Sequence, residues 1–272
     1  MTSKSKWLST PYLLWSAIFI IVPLGMVFYY GLTDKTGAFT LNNIIAITSA
    51  GHAKALRLSL LLSFAGTIIC FVLAYPLAMI LANLKVKRHN FIILIFILPM
   101  WMNFLLRTLA WQTLLEKTGV INRVLSFFHL PALKIINTPA AIILGMVYNF
   151  LPFMILPLYN ALAKIDTNVI NAAHDLGANH FYTFIRIILP LSVPGIISGI
   201  TMVFIPALTT FVISSLLGGG KLLLIGDVIE QEFTRTSDWN LGSGLSMVLM
   251  IFILINMILS SVFDKEGEGS ML

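Results

Sequence analysis

The side chains from which proteins build metal sites, nucleophile–base pairs and phosphate cradles are few in this chain, and none has the spacing those tasks need. His52, His89, His129, His174 and His180 contain no i, i+4 pair of the kind that holds zinc on one helix face. No Ser/His/Asp or Cys/His set is evident. Cys70 lies inside an apolar run, where it reads as packing, and a single thiol excludes an intramolecular disulfide. Gly218-Gly219-Gly220-Lys221 has serine, not glycine, at 215 and Leu222 after the lysine, so it is not a phosphate loop. The chain therefore reads as no enzyme, with no metal and no ATP hydrolysis of its own. What remains is a set of carboxylates suited to attracting cations. Glu116 closes one apolar run, and Asp227 and Glu230 share with Gln231 one face of a short helix whose other face is Ile225, Val228, Ile229 and Phe233. A solvated amphipathic helix carries the same pattern, so the periodicity alone leaves both readings open.

The elements that must position these residues are apolar. With 58% hydrophobic and 10% charged residues and a mean hydropathy of +0.94, the chain departs far from soluble domains, where charged residues make up about 25%. It reads as an integral membrane protein. Its net charge of +6 is spread singly over the ends of apolar runs, where snorkelling and topology account for it without nucleic acid. Crossing a bilayer takes about 20 apolar residues, and six segments qualify: 11–31, 57–82, 91–115, 138–159, 193–217 and 243–263. The first follows Lys4 and Lys6 and lacks a small-residue cleavage pattern, so it is expected to stay as a span. Lysines and arginines divide evenly between the two sides, eight on each, with Arg107 inside a span. Lys85, Lys87 and Arg88 crowd one short loop, and short loops weigh most in the positive-inside rule. Both termini are thereby expected in the cytoplasm.

That orientation places Asn171–Pro190, NAAHDLGANHFYTFIRIILP, at the cytoplasmic membrane face between the fourth and fifth spans. It is a polar stretch with two helical stripes, Val169, Ile170, Ala173 and Leu176 before Gly177, then Phe181, Phe184, Ile185 and Ile188. Gly177 is expected to end the first helix in the left-handed conformation, and Asp166 or Thr167 to cap its start. Pro190 and Pro194 mark the entry to the next run.

Ala172, Ala173, Gly177, Ile187, Leu189 and Pro190 fall in register with the EAA loop of ABC-importer permeases, which this segment resembles. Asn171 stands where that family usually has glutamate. The runs Leu98-Pro99, Arg107–Trp111, Gly119–Asn122, Tyr148–Tyr159 and Leu216–Gly219 are similar to the polyamine-import branch, for spermidine and putrescine. The resemblance implies an all-α, six-transmembrane-helix type I ABC importer permease, one permease domain over 1–272, with a cytoplasmic coupling loop at 166–190. It further implies that Asn171, Ala172, Ala173, Asp175, Gly177, Phe181, Ile187, Leu189 and Pro190 couple the permease to a separate ATPase that uses ATP and Mg. The loss of the glutamate bears on the strength of that docking, not its place. The implied partners are two copies of the ATP-binding subunit, a second homologous permease, an extracytoplasmic substrate-binding protein and a polyamine, in a bacterial inner membrane.

A polyamine calls for carboxylates and aromatic faces. Trp101, Trp111, Glu116, Tyr148, Asn149, Tyr159, Asp227 and Glu230 are the pathway candidates, with Asn103 as a further uncharged hydrogen-bonding group. Each aromatic residue also suits an interface anchor or packing. Pro152 and Pro157 in one span are expected to break it and free carbonyls for a cation. Arg107 would repel a polycation and is expected to pair with a carboxylate such as Glu116, or to face a subunit interface. Another cargo, such as thiamine, ferric ion or an oxyanion, fits the same loop. A stand-alone channel or carrier fits the apolar composition but not the loop.

Overall fold

The computed structural model describes residues 11–83 and 98–269. These are helical apart from turns and one antiparallel bridge, Thr33 with Phe39. Among the described residues, four helices are long and apolar enough to cross a membrane: α1 (Pro11–Gly31), α3 (Ala50–Asn83), α6 (Pro139–Leu162) and the Trp239–Ile258 part of α12 (Trp239–Gly269). A fifth candidate is a bent pair, α8 (His180–Leu191) with α9 (Val193–Thr209), meeting at 63°. Between these lie α2 (Asn42–Ile45), α4 (Phe104–Leu115), α5 (Val120–Phe127), α7 (Thr167–Asp175), α10 (Val212–Leu217) and α11 (Ile225–Thr234). Of the expected third span, residues 91–97 lie outside the described residues, as do Lys85, Lys87 and Arg88; its described part is a 3-10 turn, Leu98–Trp101, followed by α4.

The apolar run 193–217 is not one helix. Thr210 is extended at φ −65°, ψ 137°, which ends α9 and lets α10 begin at Val212. Irregular backbone at such a depth is tolerated where protein covers it. Thr210 is buried, and Gly226 lies so close that a Cβ there would stand 2.7 Å from the Thr209 carbonyl oxygen and 2.9 Å from that of Thr210. In contrast, Pro152 and Pro157 do not break α6, which runs through both without interruption.

The chain divides into two compact units. In the larger, Leu56–Asp227 with Leu254–Leu272, α6 and α9 form the most extensive helix pair. Small residues permit it, as is usual where lipid supplies no hydrophobic drive between helices. A Cβ on Gly195 would lie 2.5 Å from the Ala161 Cβ, and one on Gly199 2.7 Å from the Met154 sulfur. Met146, Met154, Ile155, Leu158, Ile213 and Leu217 fill the core around them. In the smaller unit, Met1–Ala55 with Val228–Ile253, Gly31 abuts Met247 and Gly244. Asn43 and Asn240 both donate to the Thr33 carbonyl, at 2.9 and 2.7 Å, and Lys35 pairs with Asp238 at 2.9 Å.

Candidate functional site

The loop 166–190 is built by local chemistry at each of its corners. Asp166 is the cap of α7, its carboxylate accepting from the Asn168 N–H at 2.9 Å. At the other end, the Gly177 N–H donates to the His174 carbonyl at 2.9 Å and the Ala178 N–H to that of Ala173 at 3.0 Å. With Gly177 at φ +85°, these two bonds make a Schellman turn, which satisfies carbonyls the helix end would otherwise leave open. Asn179 then caps α8, accepting from the Tyr182 N–H at 2.8 Å.

Only part of the expected apolar stripe is covered. Ala173 is buried and Ile170 half-buried, whereas Val169 is exposed and Leu176, beside the glycine turn, is 89% exposed. Phe181 is 72% exposed and Tyr182 is also open, while Thr183 is buried. Asn171, Ala172 and Asp175 face outward as well. The loop thus presents apolar side chains on a polar, rigidly capped frame. Beside them is a groove of about 490 Å³ lined by Ala173, Leu176, Gly177, Ala178, Asn179, Tyr182, Arg186 and Ile187.

The second helix does not continue straight into α9. Phe184–Ile188 is a π turn, Pro190 follows in the last turn of α8, and the chain bends at Ser192 before α9. Ile187 and Leu189 are half-buried and Pro190 exposed. Ser192 gives its proton to the Leu189 carbonyl at 2.9 Å, so the Tyr75 hydroxyl, 2.8 Å away, donates to the serine oxygen. The Tyr75 ring also meets Phe184 edge-on at 5.8 Å. The loop is therefore tied to α3 as well as to α9.

The pathway candidates do not share one environment. Trp111 stands edge-to-face with Tyr148 at 5.2 Å, joining α4 to α6. Asn149 is buried, its amide donating to the Gly145 carbonyl at 2.8 Å while its carbonyl oxygen lacks a partner among the described residues. Tyr159 is half-buried against the core, and Trp101 is exposed in the 3-10 turn. Asn103 is the cap of α4, accepting from Leu105 and Leu106. Glu116 is exposed at the end of α4, and its backbone carbonyl accepts from Asn122 at 3.0 Å. Asp227 is only 3% exposed, and its carboxylate accepts from the Leu224 N–H at 2.8 Å. That bond is the acidic half of a capping box at the start of α11. Glu230, in the smaller unit, is half-buried and accepts from the Thr234 hydroxyl at 3.0 Å.

Arg107 is not paired with Glu116. Nine residues along a helix place the two roughly 13 Å apart on opposite faces. The arginine instead shares a face of α4 with Phe104, Thr108 and Trp111; it is 6% exposed, and among the described residues its Nε and Nη1 have no partner. Sequence reasoning also passed over Tyr75 and Ser192, which hold the end of the loop. A serine directly before Val193-Pro194, at a helix start, is the one local signal that marked either.

Residues 74–265 match the family described as binding-protein-dependent transport system inner membrane component. The chain is 36% identical over 266 residues to the spermidine/putrescine transport system permease protein PotB of Escherichia coli K12, covering 93% of this chain and 97% of that protein. It is 36% identical over 253 residues to PotB of Haemophilus influenzae, covering 88% of each. Its fold is similar to a chain of a bacterial ABC transporter involved in the import of the acidic polysaccharide alginate, with TM-score 0.74 and 18% identity over 97% of this chain and 96% of the other. At that identity the likeness bears on fold alone. With the family match spanning most of the chain and the two relatives matched nearly end to end, this protein belongs to the binding-protein-dependent inner-membrane permeases.

Proposed function

We propose that the chain is one of two permease subunits of an ATP-driven importer for polyamines of the spermidine and putrescine class. The observation that carries the cargo is the 36% identity over 93% of the chain to a permease named for those substrates. The full arrangement is six spans in one permease domain, with both termini in the cytoplasm. A second permease completes the pathway, an extracytoplasmic binding protein delivers the substrate, and two ATP-binding subunits drive it.

Loop 166–190 is the coupling element. Its capped helix α7, the left-handed turn at Gly177 and the exposed Leu176 and Phe181 form a stiff, partly apolar knob suited to a groove on a soluble motor. Asn171 carries no charge, so docking here rests on shape and apolar burial. Nucleotide-dependent motion at the knob biases the spans toward one access state only if the motor binds the two states with different affinity. In the pathway, Trp111 and Tyr148 offer aromatic faces to ammonium groups.

The test is uptake of labelled spermidine and putrescine by cells lacking this chain alone, in a background without a redundant importer. Loss of uptake, restored by the intact gene, is expected. Undiminished uptake of both would refute the cargo.

A further inference from the structure

We propose that His174 and His180 form a two-imidazole site for a divalent transition metal at the turn of loop 166–190. They stand six positions apart in sequence, which gives no pair on any one helix. The turn brings them together: Gly177 at φ +85° reverses the chain, the Ala178 N–H closes on the Ala173 carbonyl, and Asn179 starts α8 with His180 as its first residue. The ring centroids stand 4.9 Å apart, with the rings at 69° to each other. Two imidazoles on one zinc ion, each with Zn–N about 2.0–2.1 Å at a near-tetrahedral angle, place their centroids roughly 5 Å apart.

A second observation fixes the tautomer. His174 Nδ1 lies 2.9 Å from the Ala178 carbonyl oxygen. A carbonyl only accepts, so Nδ1 is the nitrogen that donates here, and Nε2 is the one left to meet a metal. Metal-binding histidines are held in this way, with the second nitrogen donating to a backbone carbonyl or carboxylate. His174 is half-buried and anchored through its Nδ1, whereas His180 is exposed. Among the described residues no third histidine, cysteine or carboxylate converges there, so water or groups of a docked subunit complete the coordination. Imidazole selects copper, nickel and zinc over the harder magnesium and calcium, with copper held most tightly. Such an ion would cross-link α7 to α8. The binding itself does not depend on the docking role; any effect of the ion on ATP hydrolysis rests on it.

The test uses the full chain in detergent micelles, purified without a polyhistidine tag, and Cu²⁺ as the probe. Electron paramagnetic resonance is expected to show one copper bound by two imidazole nitrogens, with Zn²⁺ but not Mg²⁺ competing. His174→Gln and His180→Gln are each expected to leave one nitrogen and to weaken binding at least about tenfold. His52→Gln and His129→Gln are expected to leave both unchanged. A spectrum of the unaltered chain with one nitrogen or none overturns the proposal without reference to any variant. So does a His180→Gln protein that binds as tightly as its parent.

Discussion

Substitution at Gly177 separates a backbone requirement from a packing requirement. Its φ is +85°, and a Cβ added there meets nothing within 4 Å among the described residues. Space is open, so only backbone conformation resists a side chain. An ordinary L-residue in the left-handed region costs about 1–2 kcal/mol, and asparagine costs less because its short amide bonds locally. That range corresponds to about a 5–30-fold loss in the population of the native turn. Proline is worse, because its ring fixes φ near −65° and it removes the N–H that bonds the His174 carbonyl at 2.9 Å. Substrate-stimulated ATP hydrolysis by the assembled importer is therefore expected to fall in the order glycine, asparagine, alanine, proline, with equal amounts of each protein in the membrane. If Gly177→Asn proves worse than Gly177→Ala, side-chain size is what matters, a partner packs against this turn, and the backbone argument is wrong. If Gly177→Pro leaves hydrolysis coupled, the loop is not the docking element.

Tyr75→Phe removes the hydroxyl that donates to Ser192 at 2.8 Å, a buried bond whose loss costs about 1 kcal/mol. A melting temperature lowered by a few degrees and weaker coupling are expected, and a variant with both unchanged would show that the tie to α3 carries no energy. Asp34 accepts from the Thr36 hydroxyl and from the Thr36 and Ala38 N–H groups. These bonds, the Thr36 hydroxyl foremost, hold its carboxyl below its ordinary value of 3.8. The folded state thus favours the ionised form: the stabilisation is complete above that ordinary value and is lost as pH falls through the lower folded one. Hydrogen-exchange protection across residues 33–40, taken relative to the intrinsic rate at each pH, should hold down to about pH 4 and fall only below it; a fall already between pH 6 and 5 would contradict this account.

What could be read from sequence follows how local each cause is. Asp166 and Gly177 were legible because a cap and a left-handed helix end are satisfied within a few residues. The break at Thr210 was not, because an apolar run reports hydropathy alone and the residue that covers the break, Gly226, lies sixteen positions later. Periodicity put Asp227 and Glu230 on one helix face but gave no burial, and with Leu224 rather than serine or threonine at the cap position no capping-box signature marked the bond that Asp227 accepts there. Asn103 was likewise read for its amide when its place before an apolar helix marked it as a cap. Arg107 and Glu116 are near in sequence and far apart on the helix, so counting turns alone would have excluded that pair. The closeness of His174 and His180 becomes visible only once the turn at Gly177 is placed between them.

The ties at the end of the loop bear on how motion would leave it. A straight helix from Asn179 onward would act as a single lever on α9. The 63° bend and the π turn at Phe184–Ile188 make that lever compliant, because a π turn interrupts the regular ladder of helical hydrogen bonds. Compliance is offset by the buried contact with α3, where Tyr75 meets both Phe184, at the start of the π turn, and Ser192, past its end. Displacement of the knob would then load α3 and α9 together, and α9 hands its share to α6 through the close seats of Gly195 and Gly199. Helices held by glycine seats slide or part as bodies more readily than they deform, since packed interiors resist continuous strain. If the loop docks as proposed, its compliant turn and the buried Tyr75–Ser192 hydroxyl pair would let it follow a motor without unfolding its own helices.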